Sequence, residues 1–214
     1  MITVVDYGVG NLSSIINMLR RIDVDVQLSS DPHEIEQADR VILPGVGAFD
    51  PAMRTLRARG LEGPLRHVAL ERKRPLLGIC LGMQLLLETS AEGTERGLGF
   101  IQGHCARFTP DASRGLRVPH MGWNDVAPAH AHPLFAERRE ELLFSDLEPN
   151  TYSYYFVHSF FAVCANDEDV LGRTTHGDEF TSMIARGNVA GAQYHPEKSH
   201  KYGMRLFKNF AELG

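Results

Sequence analysis

Pro75-Leu76-Leu77-Gly78-Ile79-Cys80-Leu81-Gly82-Met83-Gln84 carries the strongest structural signal in this chain. An apolar, strand-like stretch ends at Gly78-Ile79-Cys80, and a Leu-rich run with helical character, Met83 to Glu88, follows at once. A side chain at so sharp a strand-to-helix turn projects above the sheet, and glycines flank it because nothing larger fits. The turn also sets the sulfur at a helix start, where free N–H groups favour a thiolate. Two readings of Cys80 stand at this point: a nucleophile, or a small buried apolar residue of the kind most intracellular cysteines are.

Working outward, the first 90 residues read as β-α-β-x-β-α-β-α. Ile2 to Val5 is a continuous β-branched run, the mark of a parallel strand buried on both faces. Leu12, Ile15, Ile16 and Leu19 recur at helical spacing, Val24 to Leu28 and Val41 to Leu43 are further strands, and helix is expected from about Phe49 to Arg72 with a break near Gly60 to Pro64. The remainder is richer in strands: Gly103 to Phe108, Val126, Leu142 to Phe144, Tyr154 to Val157, Phe160 to Cys164, Val170 to Thr174, Thr181 to Arg186 and Val189 to Gln193. Met204 to Leu213 closes the chain as an amphipathic helix, and Thr109 to Val118 is the most loop-like stretch. No repeat or linker divides the sequence. The expectation is one α/β domain over 1–214: an open, mostly parallel sheet flanked by helices, with additional antiparallel strands in the C-terminal half.

Composition narrows the class. With 22 Lys and Arg against 27 Asp and Glu the net charge is −5, which argues against nucleic acid as the main partner. The three cysteines, Cys80, Cys105 and Cys164, form no C-x-x-C pair, so neither a disulfide framework nor a zinc site is expected. No apolar run approaches the ~18 residues of a membrane span, and a cytoplasmic protein is expected. His130-Ala131-His132 reads as a solvated loop, Arg72-Lys73-Arg74 as a helix C-terminus, and Cys105 and Cys164 as core.

A cysteine nucleophile needs a base and a group to orient that base. Val189 to Gln193 is a buried-type strand that runs into Tyr194-His195-Pro196-Glu197. Sites in open α/β sheets gather at the carboxyl ends of strands, so His195 is expected at the same edge as Cys80, with Glu197 folding back onto the imidazole. The bland reading of His195-Pro196-Glu197 is a solvated surface loop. Attack on a carbonyl also needs oxyanion donors. The N–H of Leu81 is one, and the glycine-rich Gly45-Val46-Gly47 end of a neighbouring strand offers others.

Gly78 to Gln84 together with His195-Pro196-Glu197 resembles the class I (triad) glutamine amidotransferases, whose fold is a flavodoxin-like three-layer sandwich. More narrowly, the chain resembles the glutaminase subunits of imidazole glycerol phosphate synthase, through Tyr7-Gly8-Val9-Gly10-Asn11, Pro44 to Phe49, Pro119-His120-Met121-Gly122-Trp123-Asn124 and Tyr154 to Phe160. The resemblance implies that Cys80 is the nucleophile, His195 the base and Glu197 its orienting group. It implies glutamine as substrate, near Gly47, Gln84, Glu92 and the Ser159-Phe160 backbone; the family usually has Tyr at Phe160. It implies no cofactor and no metal. It further implies a heterodimer with a (β/α)8 cyclase subunit, which takes up the ammonia for histidine biosynthesis, docked near Asn11, Met121, Trp123, Tyr155 and Lys198. Two alternatives stay open: an amidotransferase of another pathway, or a catalytically silent regulatory subunit.

Overall fold

The structure, a computed structural model, describes residues 1–111, 113 and 116–213. The expected loop from Thr109 to Val118 therefore lies partly outside the described residues. The chain runs β1 (Ile2–Val5), α1 (Leu12–Arg21), β2 (Val26–Ser29), α2 (Pro32–Glu36), β3 (Arg40–Leu43), α3 (Phe49–Ala58), α4 (Glu62–Arg66, continued by a π-helical turn His67–Glu71), β4 (Leu76–Ile79) and α5 (Leu81–Leu85). Then follow β5 (Thr89–Ser90), β6 (Gly103–Arg107), β7 (His120–Asp125), β8 (Ala127–Pro128), β9 (Ser153–His158), β10 (Phe160–Cys164), β11 (Val170–His176), β12 (Asp178–Arg186), β13 (Val189–Ala192) and α6 (His200–Ala211).

The main sheet has the order β2-β1-β3-β4-β13-β12-β10-β6-β5, and β11 and β8 join it beside β12. From β2 to β13 every pairing is parallel; beyond β13 it turns antiparallel, except where β5 meets β6. Every residue of β1, β4 and β13 is buried, as continuous apolar parallel strands must be when helices cover both faces. One apolar layer gathers Ile15, Leu19, Phe207 and Phe210 of α1 and α6; the opposite layer gathers Phe49, Met53 and Leu56 of α3 with Leu65 and Leu85. Strands β7 and β9 form a separate two-stranded antiparallel ladder.

Several expectations are corrected. The helix after Cys80 begins at Leu81, earlier than Met83, and ends after one turn at Leu85 instead of reaching Glu88. It stops because the Leu85, Leu86 and Leu87 carbonyls accept from Leu98, Phe100 and Gly99, so the following loop takes the acceptors a longer helix would use. Leu142 to Phe144 is a turn and not a strand: Phe144 anchors it in the core while Leu142 is 89% exposed. Val126 lies between β7 and β8, its N–H bonded to the Tyr152 carbonyl. Cys164 is half-buried rather than core, whereas Cys105 is fully buried. Among the described residues no helix is long and apolar enough to cross a membrane.

Candidate active site

Parallel pairing of β4 with β13 sets Ile79 beside Ala192, so the residues leaving both strands emerge together. The Cys80 N–H continues the ladder to the Ala192 carbonyl at 2.7 Å. Cys80 itself adopts φ 53° and ψ −111°, a backbone state that L side chains rarely occupy. Its glycines are steric necessities. A Cβ on Gly82 would lie 1.9 Å from the Leu43 carbonyl oxygen, and one on Gly78 would lie 2.6 Å from the Gly82 oxygen.

His195 is held from both sides. Its backbone N–H donates to the Tyr155 carbonyl at 2.9 Å, and its carbonyl accepts from the Ser199 hydroxyl at 2.6 Å. The Ser199 hydroxyl also accepts from the Tyr155 N–H at 3.0 Å, which ties β9 to the turn that carries the histidine. On the ring, Nδ1 donates to Glu197 Oε1 at 2.8 Å, and the other nitrogen is left for the Cys80 sulfur. The His195 and Glu197 side chains are 3% and 1% exposed, so the bland reading of a solvated loop does not hold. Burial by itself would lower the His195 pKa; hydrogen bonds to Cys80 and to Glu197 outweigh it and raise it to about 10. A thiol bonded to an imidazole that a buried carboxylate orients is the arrangement that activates sulfur for attack on a carbonyl carbon.

These groups open on a cavity of about 360 Å³. Cys80, His195 and Leu81 line it together with Val46, Gly47, Glu92, Gln84, His158, Ser159 and Phe160. Gly45 does not line it. That residue is buried behind the loop, and a Cβ there would lie 2.8 Å from both the Gly82 nitrogen and the Leu81 Cβ. The loop is also tied from behind, since the Tyr7 hydroxyl donates to the Pro44 carbonyl at 2.8 Å. Burial and the neighbouring Cys80 push the Tyr7 pKa well up, so the phenol keeps its proton.

Glu92 reaches the cavity because its loop is pinned. The Asp50 carboxylate accepts the Thr94 and Glu95 N–H groups at 3.1 and 3.0 Å, and these bonds hold its pKa below the usual carboxylate range. Glu92 Oε2 in turn accepts from the Phe49 N–H at 2.9 Å, at the end of the Gly45–Gly47 loop. Gln84 donates to the Phe160 carbonyl at 3.3 Å and to Gln193 Oε1 at 3.1 Å, and Gln193 donates to the Cys80 sulfur at 3.8 Å. Reading the sequence alone gave no role to Gln193 or Tyr7. Gln193 is two residues before His195 on the same buried strand end, and that position is the signal that would have found it.

The five residues named for a partner fall on neighbouring elements. Met121 and Trp123 of β7 are 62% and 48% exposed, and Trp123 contacts Tyr155 of β9 edge to face at 6.5 Å. Lys198 Nζ lies 5.7 Å from the Tyr155 ring, and Asn11 heads α1, which packs against the Pro196–Lys198 turn. Among the described residues no cluster of His, Cys, Asp and Glu is arranged to hold a metal ion.

Comparison with known proteins agrees with this geometry. The chain is 46% identical over 213 residues to imidazole glycerol phosphate synthase subunit HisH 2 of Pseudomonas aeruginosa, with 100% of both chains covered. It is 42% identical to the subunit of the same name from Methanococcus maripaludis, with 98% of each covered. Among solved structures, a glutamine amidotransferase superposes with a TM-score of 0.72 at 19% identity, over 98% of this chain and 97% of that one. PurLQS from Thermotoga maritima gives 0.68 at 20% identity, covering 98% and 96%; at these identities the likeness speaks for the fold. The family model described as glutamine amidotransferase class-I matches residues 3–213, and the chain belongs to that family.

Proposed function

We propose that this chain is the glutaminase subunit of an imidazole glycerol phosphate synthase, acting as one domain over 1–214 in the cytoplasm. In this reading the proton shared between Cys80 and His195 already rests on the imidazole, as its raised pKa requires, and the sulfur attacks the side-chain amide carbon of glutamine. The N–H of Leu81 and the Val46-Gly47 backbone receive the developing oxyanion. The C–N bond breaks as His195 returns the proton to the leaving nitrogen, which departs as ammonia and leaves a γ-glutamyl thioester on Cys80. Water, deprotonated by the same imidazole, then cleaves the C–S bond and releases glutamate.

The observation that carries this reading is the buried Cys80–His195–Glu197 line at the ends of two adjacent parallel strands, facing a cavity of amino-acid size. Glu92 offers a counter-charge for the substrate ammonium, and the Ser159-Phe160 backbone an anchor for its carboxylate. Full-length similarity to subunits so named supports the narrower assignment. On that assignment a (β/α)8 cyclase docks over Met121, Trp123, Tyr155, Lys198 and Asn11. It consumes the ammonia in making imidazole glycerol phosphate and aminoimidazole carboxamide ribotide.

Glutamate release from glutamine, measured with and without a cyclase subunit and its nucleotide ligand, tests both levels. Turnover that rises when cyclase and ligand are added is expected; turnover indifferent to both contradicts the subgroup, and none under any condition contradicts the glutaminase.

A further inference from the structure

Strand β7 has two faces of opposite character. Met121 and Trp123 point outward, while His120 and Asn124 alternate with them and turn toward the body of the protein. His120 stands directly across the ladder from His158 of β9, and the two residues are 4% and 6% exposed. Neither ring has a part in the chemistry above, yet His158 lines the cavity.

The hydrogen bonds that join these groups run in a single direction. Asn124 Oδ1 accepts from the Asp125 N–H at 2.9 Å and Nδ2 donates to the Thr175 carbonyl at 2.9 Å, which fixes the orientation of the amide. The same Nδ2 lies 3.1 Å from His120 Nε2, so that ring nitrogen accepts. An uncharged His120 then carries its proton on Nδ1 and donates to His158 Nε2 at 3.0 Å. His158 is left with its proton on Nδ1, which donates to the Phe160 carbonyl at 2.7 Å. The far end agrees independently, because a carbonyl oxygen can only accept.

Both rings are held uncharged. Burial lowers the His158 pKa to about 3 and the His120 pKa to about 4, with His176 disfavouring charge on both. The titratable groups facing His158 are His120 of β7, His176 of β11 and His195 beyond β13, and the rings of Phe108, Phe156 and Phe180 complete its surroundings. His120 stacks on His176 with ring centroids 4.2 Å apart.

We propose that His158 is a positioning residue for the glutaminase reaction: fixed as the Nδ1–H tautomer through Asn124 and His120, it holds the Phe160 carbonyl, and with it the backbone that receives the substrate carboxylate. The proposal rests on the glutaminase reading of this cavity. The relay starts on the strand whose outer face carries Met121 and Trp123.

Steady-state glutamine hydrolysis by the full chain together with a cyclase subunit, and nitrogen-15 histidine spectra of the free chain, test this. His158→Leu deletes the shorter of the two bonds to the Phe160 carbonyl and leaves only Gln84 at 3.3 Å; His158→Asn keeps an N–H near the Nδ1 position. His158→Leu is expected to raise KM about tenfold with kcat within about twofold, and His158→Asn to restore KM. Wild-type spectra are expected to show His158 as the Nδ1–H tautomer. Should His158→Leu fail to fold, His120→Leu carries the same test, since it leaves His158 in place without its fixed donor and KM rises. An Nε2–H tautomer in the wild type, an unchanged KM in the Leu variants, or a loss of kcat that His158→Asn does not rescue would overturn the proposal. Absence of wild-type turnover overturns the glutaminase reading and the relay with it; normal wild-type turnover with unchanged KM in the variants overturns the relay alone.

Discussion

Cys80 occupies φ 53° and ψ −111°, a conformation that only glycine adopts without strain and that costs a side chain roughly 1–3 kcal/mol. The strain persists because the fold fixes both sides of it: the Cys80 N–H is bound to Ala192, and Gly82 is pressed against the Leu43 carbonyl. Cys80→Gly removes the strain and Cys80→Ala keeps it. After allowing for the extra freedom of glycine in the unfolded chain, Cys80→Gly should be about 1 kcal/mol more stable than Cys80→Ala by denaturant midpoint, and both should lack glutaminase turnover. A glycine variant less stable than the alanine one would show that the turn is unstrained. The nucleophile was legible in the sequence because two glycines and a helix start lie within three residues of it. Gln193 is legible only through its place two residues before His195, since its donation to Cys80 spans 113 positions and its strand looks like ordinary core.

Elements built on a continuous apolar run were readable: β1, β3, β4 and β13 lie where period and β-branching put them. Elements whose inward face is polar were not. β7 turns His120 and Asn124 inward and has a glycine between them, so it has no hydrophobic alternation to find. Leu142 to Phe144 misled for the converse reason, because three apolar neighbours suffice for a pattern although only Phe144 reaches the core. Helix α2 carries its start signal in Asp31, which accepts from the His33 and Glu34 N–H groups, and in Pro32 of the first turn. Between elements, the Tyr7 hydroxyl ties the end of β1 to the loop after β3. Tyr7→Phe leaves the Pro44 carbonyl without that donor and frees the Gly45–Gly47 loop. The expected result is a loss of about 1 kcal/mol in stability and a severalfold fall in kcat with KM little changed. An unaltered kcat would mean that the loop is set by other contacts.

At the scale of the whole molecule, buried histidines of opposite bias shape the pH dependence. His158 and His120 fall to about 3 and about 4, below the ordinary 6.5, so the unfolded chain binds more protons in acid and stability drops as pH falls below 6.5. Against burial, Cys80 and Glu197 raise His195 to about 10, so the folded chain still holds that proton where the unfolded chain has lost it, and stability drops as pH climbs toward 10. Burial raises the thiols of Cys105 and Cys164, which adds to the alkaline slope in the same sense. Each fully shifted group contributes ~1.4 kcal/mol per pH unit. Denaturant unfolding from pH 4 to 10 should therefore peak near 6.5, and Glu197→Gln should flatten the alkaline limb; stability still rising between pH 7 and 9 would contradict this. The central claim concerns one covalent bond, and acid quenching during glutamine turnover followed by mass spectrometry of the Cys80 peptide tests it most directly. One γ-glutamyl group on Cys80, absent in Cys80→Ala, is the expected result. Glutamine consumed with Cys80 unmodified in the steady state, together with turnover surviving in Cys80→Ala, would contradict it.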